Sequence, residues 1–474
     1  MALAFGATFM ASCGIQAKKE AINQKEGQST GLAQQNLERG MSILDSAVSH
    51  YLIGEEMAMA RYYDPATGKA SDERGSVWMY TSAIEAVNAI LHSLELAKES
   101  GNSKIYKQNF NRYTQLLSDL YDNADYYLGT FELTSFTQTK TWSVYAVDRV
   151  SQKGEARVTG IYNVYDDQMW LIRELLESYR LTKEERYLEK AEYLTEYVLD
   201  GWDTTRDVDG NEHGGIPWGP GYVTKHACSN GPLISPLVWL HEIYATSDDQ
   251  IEYRFVDPSD KESRKSVMRP KAEHYLDYAE KVYEWQKVKL LNTEGVYADM
   301  MGGCGRCKIG YETVDGIKYR ANTRVTEAVG QPYTYNSGTM LSGAADLYRA
   351  TEDADYLNDG KALSDNSFRY FATLDRDLSG HYSYHIGGFR NWFNGVLLRG
   401  YLDMYPEYQA VASYIQSFQK NLDYGFENHR RRGLLPTDLL NGWGQEQSEH
   451  GVEGMFQFTF AAEYAVLARF QYER

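Results

Sequence analysis

Long apolar runs, positive charge and cysteine are all scarce in this 474-residue chain, and each shortage removes a class of function. Beyond the first dozen residues no segment approaches the roughly 20 apolar residues that a membrane-spanning helix needs. Lys and Arg total 48 against 66 Asp and Glu, a formal charge of −18. Such a chain is a poor partner for nucleic acid or an anionic membrane surface, and a neutral polymer suits it better. There are four cysteines: Cys13, Cys228, Cys304 and Cys307. The last two form a lone CxxC, and a zinc site needs two further ligands that no second CxxC or HxxxH supplies. His381 and His385 stand four apart, but Gly380 and the tyrosines between them mark an extended or looped segment. The CxxC therefore reads as a small disulfide staple or as two unpaired thiols, and neither metal nor cofactor is expected. Low-complexity sequence is absent after residue 36, so residues 37–474 read as one domain.

Aromatic residues are abundant at 14%, with 39 Tyr and 9 Trp. Tyrosine joins a flat apolar face to a hydroxyl, which suits sugar rings, although helix packing accounts for most of it. The N-terminus carries a different signal. Met1 to Ala11 is a short apolar stretch, and Ser12-Cys13-Gly14 resembles the end of a bacterial lipoprotein signal, with Cys13 as the lipidation site. No Lys or Arg precedes the apolar run. Residues 14–36, with Lys18, Lys19, Glu20, Lys25 and Glu26, read as a flexible polar tether. The expectation is an exported monomer that touches the membrane only through its lipid anchor. Gly14-Ile15-Gln16-Ala17-Lys18 lacks an acidic run after the cysteine, which favours the periplasm over the cell surface.

Helical periodicity dominates the body, as in Tyr113, Leu116, Leu120, Ala124 and Tyr127, or Val411, Tyr414, Ile415, Phe418 and Leu422. About twelve helices are predicted, beginning near Leu37, Val77, Lys104, Asp166, Lys183, Leu233, Lys271, Asn336, Asp353, Asn391, Tyr408 and Val452. Short turns such as Leu181-Thr182-Lys183 and Tyr405-Pro406-Glu407 imply antiparallel hairpins. The motif-like runs fall at the starts of alternate helices: Tyr165-Asp166-Asp167, Ser229-Asn230-Gly231-Pro232, Tyr335-Asn336-Ser337-Gly338 and Asn391-Trp392-Phe393-Asn394-Gly395. Six hairpins in a ring, with the inner helices presenting their N-termini at one end, would gather these runs around one cleft. That is an all-α architecture, the (α/α)6 barrel. Residues 201–229 and 293–334 are long enough to be functional loops, and residues 251–269 read as a charged surface insertion without special role.

The pair Asp166–Asp167 carries the chemical signal. Glycoside hydrolysis uses two carboxyl groups, about 5–5.5 Å apart when the anomeric configuration is retained. Neighbours on a helix point ~100° apart, yet their oxygens can flank one small substrate atom. The positive end of the helix dipole favours an ionised carboxylate, as a nucleophile requires. The plainer reading is a helix cap, because Asp is favoured there.

Taken together, YDDQMW, GGIPW, KHACSNGP, TYNSG and FNGVLLRGYL resemble the landmarks of glycoside hydrolase family 76, the endo-α-1,6-mannanases, as found in gut Bacteroides. The resemblance runs from about residue 40 to 470. It implies an (α/α)6 barrel that cleaves α-1,6-linked mannan backbones with retention, with Asp166 as nucleophile and Asp167 as general acid and base. It also marks Asp299 as a residue that hydrogen-bonds a mannose hydroxyl. Tyr165, Trp218, Asn230, Tyr335 and Asn336 are further candidates for substrate contact, with loop packing or helix capping as the plain alternatives. His226 is a weaker candidate, and Glu446 and Glu449 read as solvated. Ser337 departs from the glutamine frequent in the family. N-acylglucosamine epimerases and unsaturated glucuronyl hydrolases share the barrel, but an epimerase wants His at the cleft for proton transfer. A glycan-binding lipoprotein of the SusD type is the non-enzymatic alternative, and it needs no paired carboxylates.

Overall fold

A computed structural model describes residues 30–303, 308–444 and 451–474. Cys13, Cys304, Cys307, Glu446 and Glu449 lie outside the described residues. The described residues contain twelve α-helices: α1 (30–51), α2 (Val77–Glu99), α3 (Ser103–Ala124), α4 (Tyr165–Thr182), α5 (Glu185–Leu199), α6 (Ile234–Tyr244), α7 (Lys271–Leu290), α8 (Thr334–Thr351), α9 (Ala354–Phe371), α10 (Arg390–Met404), α11 (Ala412–Asn428) and α12 (Gly454–Tyr472).

Two kinds of helix alternate, and burial separates them. Every residue of α12 from Gly454 to Ala465 is buried, as is every residue of α8 from Thr334 to Leu341. A helix apolar on all sides must be enclosed by others. By contrast α3 buries a single stripe of Ile105, Tyr113, Leu117, Leu120, Tyr121 and Ala124, and faces solvent elsewhere. The enclosed helices α2, α4, α6, α8, α10 and α12 touch in that order, and α12 returns to pack against α2. Each of α3, α5, α7, α9 and α11 packs on the inner helix before it. The (α/α)6 barrel expected from the alternation of helix starts is what the chain forms.

Helix boundaries follow local chemistry. Helix α4 stops at Thr182 because Lys183 turns left-handed (φ 59°), and α5 then begins at Glu185. Helix α11 begins at Ala412, after a single 3-10 turn at Gln409–Val411. The first helix starts before the expected Leu37: residues 30–36, read as part of the tether, are helical. The cause is tertiary. Ala33 and Asn36 are buried, and the Asn36 amide exchanges two hydrogen bonds (2.8 and 2.9 Å) with Gln419 of α11.

Short strands decorate the end where the inner helices begin. Strands β1 (Leu128–Thr134) and β2 (Thr139–Tyr145) form a hairpin, and β4 (Gln250–Val256) with β5 (Arg264–Pro270) forms another. The surface segment 251–269 is an ordered hairpin, with Gln250 opposite Pro270 and Val256 opposite Arg264. Strand β6 (Met300–Gly303) lies between β3 (Lys225–His226) and β7 (Val325–Val329), all antiparallel, so the long segments 201–229 and 293–334 are joined in one sheet.

Two glycines set how closely α8 and α10 cross. A Cβ on Gly338 would lie 2.5 Å from the Val396 carbonyl oxygen, and one on Gly400 would lie 2.6 Å from that of Gly338. Gly338→Ala is therefore expected to destabilise the fold by about 1–3 kcal/mol through overpacking. Gly31→Ala, where an added Cβ meets nothing within 4 Å, should be neutral or slightly stabilising in its helix. Thermal unfolding of the two variants beside the parent checks both.

Candidate active site

The site is built on the first turn of α4. Val164 occupies the N-cap with an extended backbone (φ −125°, ψ 147°) and no side-chain capping bond, so Asp166 and Asp167 sit inside the helix. Neither is the N-cap itself, and both stand in the first turn. The entry of the chain into α4 is held from outside: the Tyr165 N–H donates to the Trp218 carbonyl (2.8 Å). Three residues on, the Gln168 amide brackets the backbone of Tyr145 at the end of β2, accepting at 3.1 Å and donating at 2.8 Å. These bonds leave the two carboxylates little freedom of position.

Asp166 is half-buried and Asp167 is buried. The Trp218 indole N–H donates to Asp166 Oδ1 at 3.1 Å. Burial pushes the Asp166 carboxyl up to about 6, while bonds from the Cys228 thiol, the local backbone N–H groups and Trp218 hold it back. Asp167 is pushed well above the usual carboxylate range, first by burial, then by the neighbouring Asp166 charge and by Asp148. The same desolvation acts on both, but the donors that favour the charged form converge on Asp166. One carboxyl is thereby poised to ionise near neutrality while the other keeps its proton.

The segments that follow α5 and α7 supply the walls. Trp218 stacks on His226 (ring centroids 4.8 Å apart, planes 22°) and leans on Tyr222 at 4.5 Å. It stands beside Asp166 as a hydrogen-bond donor, with His226 and Tyr222 on its ring. His226 is kept neutral by burial, which lowers it to about 4, and its Nε2 pairs with the Thr224 hydroxyl at 2.8 Å. Asp299 is half-buried, raised by burial, and accepts from the Tyr335 hydroxyl at 3.4 Å. The Cys228 thiol lies close to both Asp166 and Tyr335, which groups Asp299 with the pair.

Three of the candidates for substrate contact are committed elsewhere. Tyr165 is buried against Tyr197 (5.0 Å), and a Cβ on Gly201 would come within 2.7 Å of its ring. Asn230 is fully buried; its Oδ1 accepts from the Ile216 N–H at 2.8 Å while its Nδ2 donates to the carbonyls of His226 and Ile216. Asn336 is fully buried, its Nδ2 spanning the carbonyls of Tyr297 and Ala298 at 3.4 and 3.3 Å. Residues of these types at inner-helix starts look alike in sequence, and here Tyr165 packs on α5 while the two asparagines bond the loops that precede them. The loop 201–229 is braced further by a buried ion pair, Lys225 to Asp203 at 2.8 Å.

Other site residues carry no motif. Cys228 belongs to a recognisable run, but its contact with Asp166 arises only from folding. Tyr222 is half-exposed beside both carboxylates. A row of partly exposed rings extends from Tyr335 across the mouth: Phe393 at 4.4 Å, then Trp78 at 6.0 Å and Phe389 at a further 4.7 Å. They come from α2, α8, α10 and the turn before α10, so no sequence window contains them. Among the described residues no group of three or more His, Cys, Asp or Glu side chains is arranged to hold a metal ion.

Comparison with solved structures places this architecture. A family 76 glycoside hydrolase (mannosidase) from Bacteroides thetaiotaomicron matches with a TM-score of 0.65 and 22% identity, over 92% of this chain and 98% of its own. An inactive variant of an α-1,6-mannanase from Salegentibacter, with two consecutive aspartates changed to asparagine and α-1,6-mannotriose bound, matches at 0.57 and 19%, over 92% and 99%. A D-mannose isomerase also matches, at 0.54 and 11%, over 92% and 97%. At these identities the likeness establishes the fold, and the fold serves more than one chemistry. A comparison with curated protein sequences gives no match. The sequence model of Glycosyl hydrolase family 76, however, matches residues 86–243 and 268–424, well over half of the chain. The chain belongs to that family and is a glycoside hydrolase.

Proposed function

We propose that this protein is an endo-α-1,6-mannanase that acts with retention of configuration. The observation that carries the reading is the arrangement at the start of α4: Asp166 receives the Trp218 N–H while Asp167 is buried beside it. Asp166, ionised, attacks the anomeric carbon and forms a mannosyl ester. Asp167 gives its proton to the departing glycosidic oxygen. It then takes a proton from water, which breaks the ester and releases the sugar. The Salegentibacter α-1,6-mannanase supports this assignment, because its inactive variant carries substitutions at two consecutive aspartates and holds α-1,6-mannotriose. The row of rings beside Tyr335 supports a cleft that accepts a polymer rather than one sugar. We further propose export and a lipid anchor at Cys13, periplasmic and monomeric; the Ser12-Cys13-Gly14 sequence is what supports the anchor.

On linear α-1,6-mannan the wild type should release short mannooligosaccharides, with the α-anomer appearing first by NMR. Asp167→Asn should lose about 10²–10⁴-fold in kcat/KM, recovered in the glycosylation step with an aryl mannoside whose leaving group needs no proton. Asp166→Asn should not be rescued that way. Mannan that is bound but uncut by the wild type, or rescue of Asp166→Asn by the activated substrate, would overturn the assignment.

The pH profile follows from the two raised groups. Activity needs Asp166 ionised, so it falls as pH drops through about 6. It also needs Asp167 protonated, so it falls again on the alkaline side. Trp218→Phe removes a bond to the ionised form of Asp166. The acidic limb of kcat/KM should therefore move to higher pH while the alkaline limb moves little. An unmoved acidic limb in the variant would show that Asp166 does not set it.

A further inference from the structure

Closing six inner helices into a ring sets α10 across the barrel axis from α4, with α2 beside α4 on one flank and α6 and α8 on the other. The contact that spans the axis is aromatic: Trp170 of α4 meets Trp392 of α10 edge to face, with 4.6 Å between centroids. Trp170 stands three residues after Asp167, one turn deeper on the same face of α4, so this pair floors the cleft. Above the floor the first turns of α2 and α10 present rings. Trp78 packs edge-on against Trp392 (5.1 Å) and lies nearly parallel to Phe393 (6.0 Å, planes 20°), and Phe389, just before α10, closes on Trp78 at 4.7 Å. Trp78, Phe389 and Phe393 are all partly exposed. Partly exposed rings gathered at one mouth, rather than scattered singly, mark a contact surface. The turns that carry them are pinned: the Val77 N–H donates to the Val147 carbonyl at 2.9 Å, and the Phe393 N–H to the Phe389 carbonyl at 3.2 Å.

The rotation of α4 decides which half of a substrate meets these rings. Successive residues on a helix point ~100° apart. Tyr165 faces outward onto Tyr197 of α5. Asp166 turns to Trp218, in the segment that leads to α6. Gln168 turns the other way, to Tyr145 at the end of β2. Asp167 comes between Asp166 and Gln168 in this rotation, so it points into the barrel mouth on the α2 side of Asp166. The segment after Tyr145 runs directly to α2, since the Val147 carbonyl receives the first N–H of that helix. Asp148, next in that segment, is one of the charges that act on Asp167. A general acid gives its proton to the oxygen that leaves, so that oxygen sits at Asp167. The sugar it carries then continues toward α2, over Trp78 and Phe389.

We propose that Trp78 and Phe389, backed by Phe393, form the leaving-side sugar site, where their rings stack on the C–H face of the sugar that departs with the glycosidic oxygen. This rests on the reading of Asp167 as general acid, and it does not require the sugar to be mannose. The same site gives the enzyme a second outcome. While the glycosyl ester on Asp166 lasts, a sugar held on the rings offers a hydroxyl where water would otherwise enter. Asp167, now ionised, takes the hydroxyl proton and the freed oxygen attacks the anomeric carbon. The new glycosidic bond forms as the ester bond breaks, and the Asp166 carboxylate is restored. Hydrolysis and transfer share the ester, but only transfer draws on the rings.

The test compares the full-length wild type with Trp78→Ala and Phe389→Ala, using α-mannosyl fluoride as donor, whose leaving group carries no ring, and α-1,6-mannobiose as acceptor. Chromatography of the products gives the ratio of transfer to hydrolysis. That ratio should fall about two- to tenfold for each ring removed, the worth of one aromatic contact. On mannooligosaccharides kcat/KM should fall by more than it does on the fluoride. Phe389 stands outside α10, so Phe389→Ala decides the matter if Trp78→Ala does not fold. A transfer ratio equal to wild type in the folded variants overturns the leaving-side site, and so does a wild type that makes no transfer product at saturating acceptor. Failure of the acid reading has its own signature, an Asp167→Asn variant that the fluoride does not rescue, and the leaving-side placement then falls with it. If the wild type cuts no α-mannoside, the mannanase reading fails, and the ratio is read with the fluoride and disaccharide of the sugar it does cut. A wild type that uses no α-glycosyl fluoride overturns the proposal.

Discussion

Six helices buried on every side can be satisfied only by a closed ring, and that closure is the constraint on which this structure depends. The last helix, α12, completes it by packing between α10 and α2, near opposite ends of the sequence. Inside the ring the polar groups must find one another, since none can reach bulk water cheaply. Asn88 of α2 donates to Glu174 of α4 (2.9 Å), and Ser93 of α2 donates to the Ala465 carbonyl of α12 (2.7 Å). The Trp392 indole and the Arg399 guanidinium of α10 both reach Glu85 of α2. These bonds fix the rotation of each inner helix, because a buried partner left alone would cost more than the bond itself contributes.

Closure also explains the chemistry. It turns six helix starts toward one end, where loops cover them and exclude water. Burial then acts on whatever carboxylates stand there, raising Asp166, Asp167 and Asp299 alike. Differentiation comes from donors that the loops deliver. Trp218 and Cys228 lie far from α4 in sequence, yet both stabilise the charged form of Asp166, and neither serves Asp167. The acid and the nucleophile of the proposed mechanism are thus separated by second neighbours more than by their own positions. The match to a D-mannose isomerase underlines the point, because the barrel by itself leaves the reaction open.

The sheet that joins segments 201–229 and 293–334 serves the same end. It places His226 opposite Met300, and the Ala227 N–H on the Asp299 carbonyl at 2.8 Å, so two distant loops move as one wall. The hairpins further out extend that wall around the rim. A neutral polymer approaching an acidic protein gains nothing from long-range charge. Affinity for such a polymer comes from local contacts with rings, hydroxyls and amides.

Much was legible before folding. The 3.6-residue spacing marked every helix but the first within a few residues, because helices buried on one stripe or on all sides leave a periodic trace. The Asp-Asp pair and the order of the motif runs identified the family, and with it the barrel. The shared ambiguity lay at helix starts. Tyr165, Asn230 and Asn336 stand where site residues stand, yet their side chains are spent on Tyr197, on the Ile216–His226 loop and on the Tyr297–Ala298 backbone. Sequence position sets which turn a residue occupies, whereas its neighbours in space decide whether it faces a ligand. Residues 30–36 are misread for the same reason: polar composition suggests solvent, and pairing with α11 makes them helical. The sequence by itself determined the helices, their alternation and the paired carboxylates. Only the tertiary structure decided which donors reach Asp166 and which rings line the mouth, because each of these joins residues that no local pattern connects.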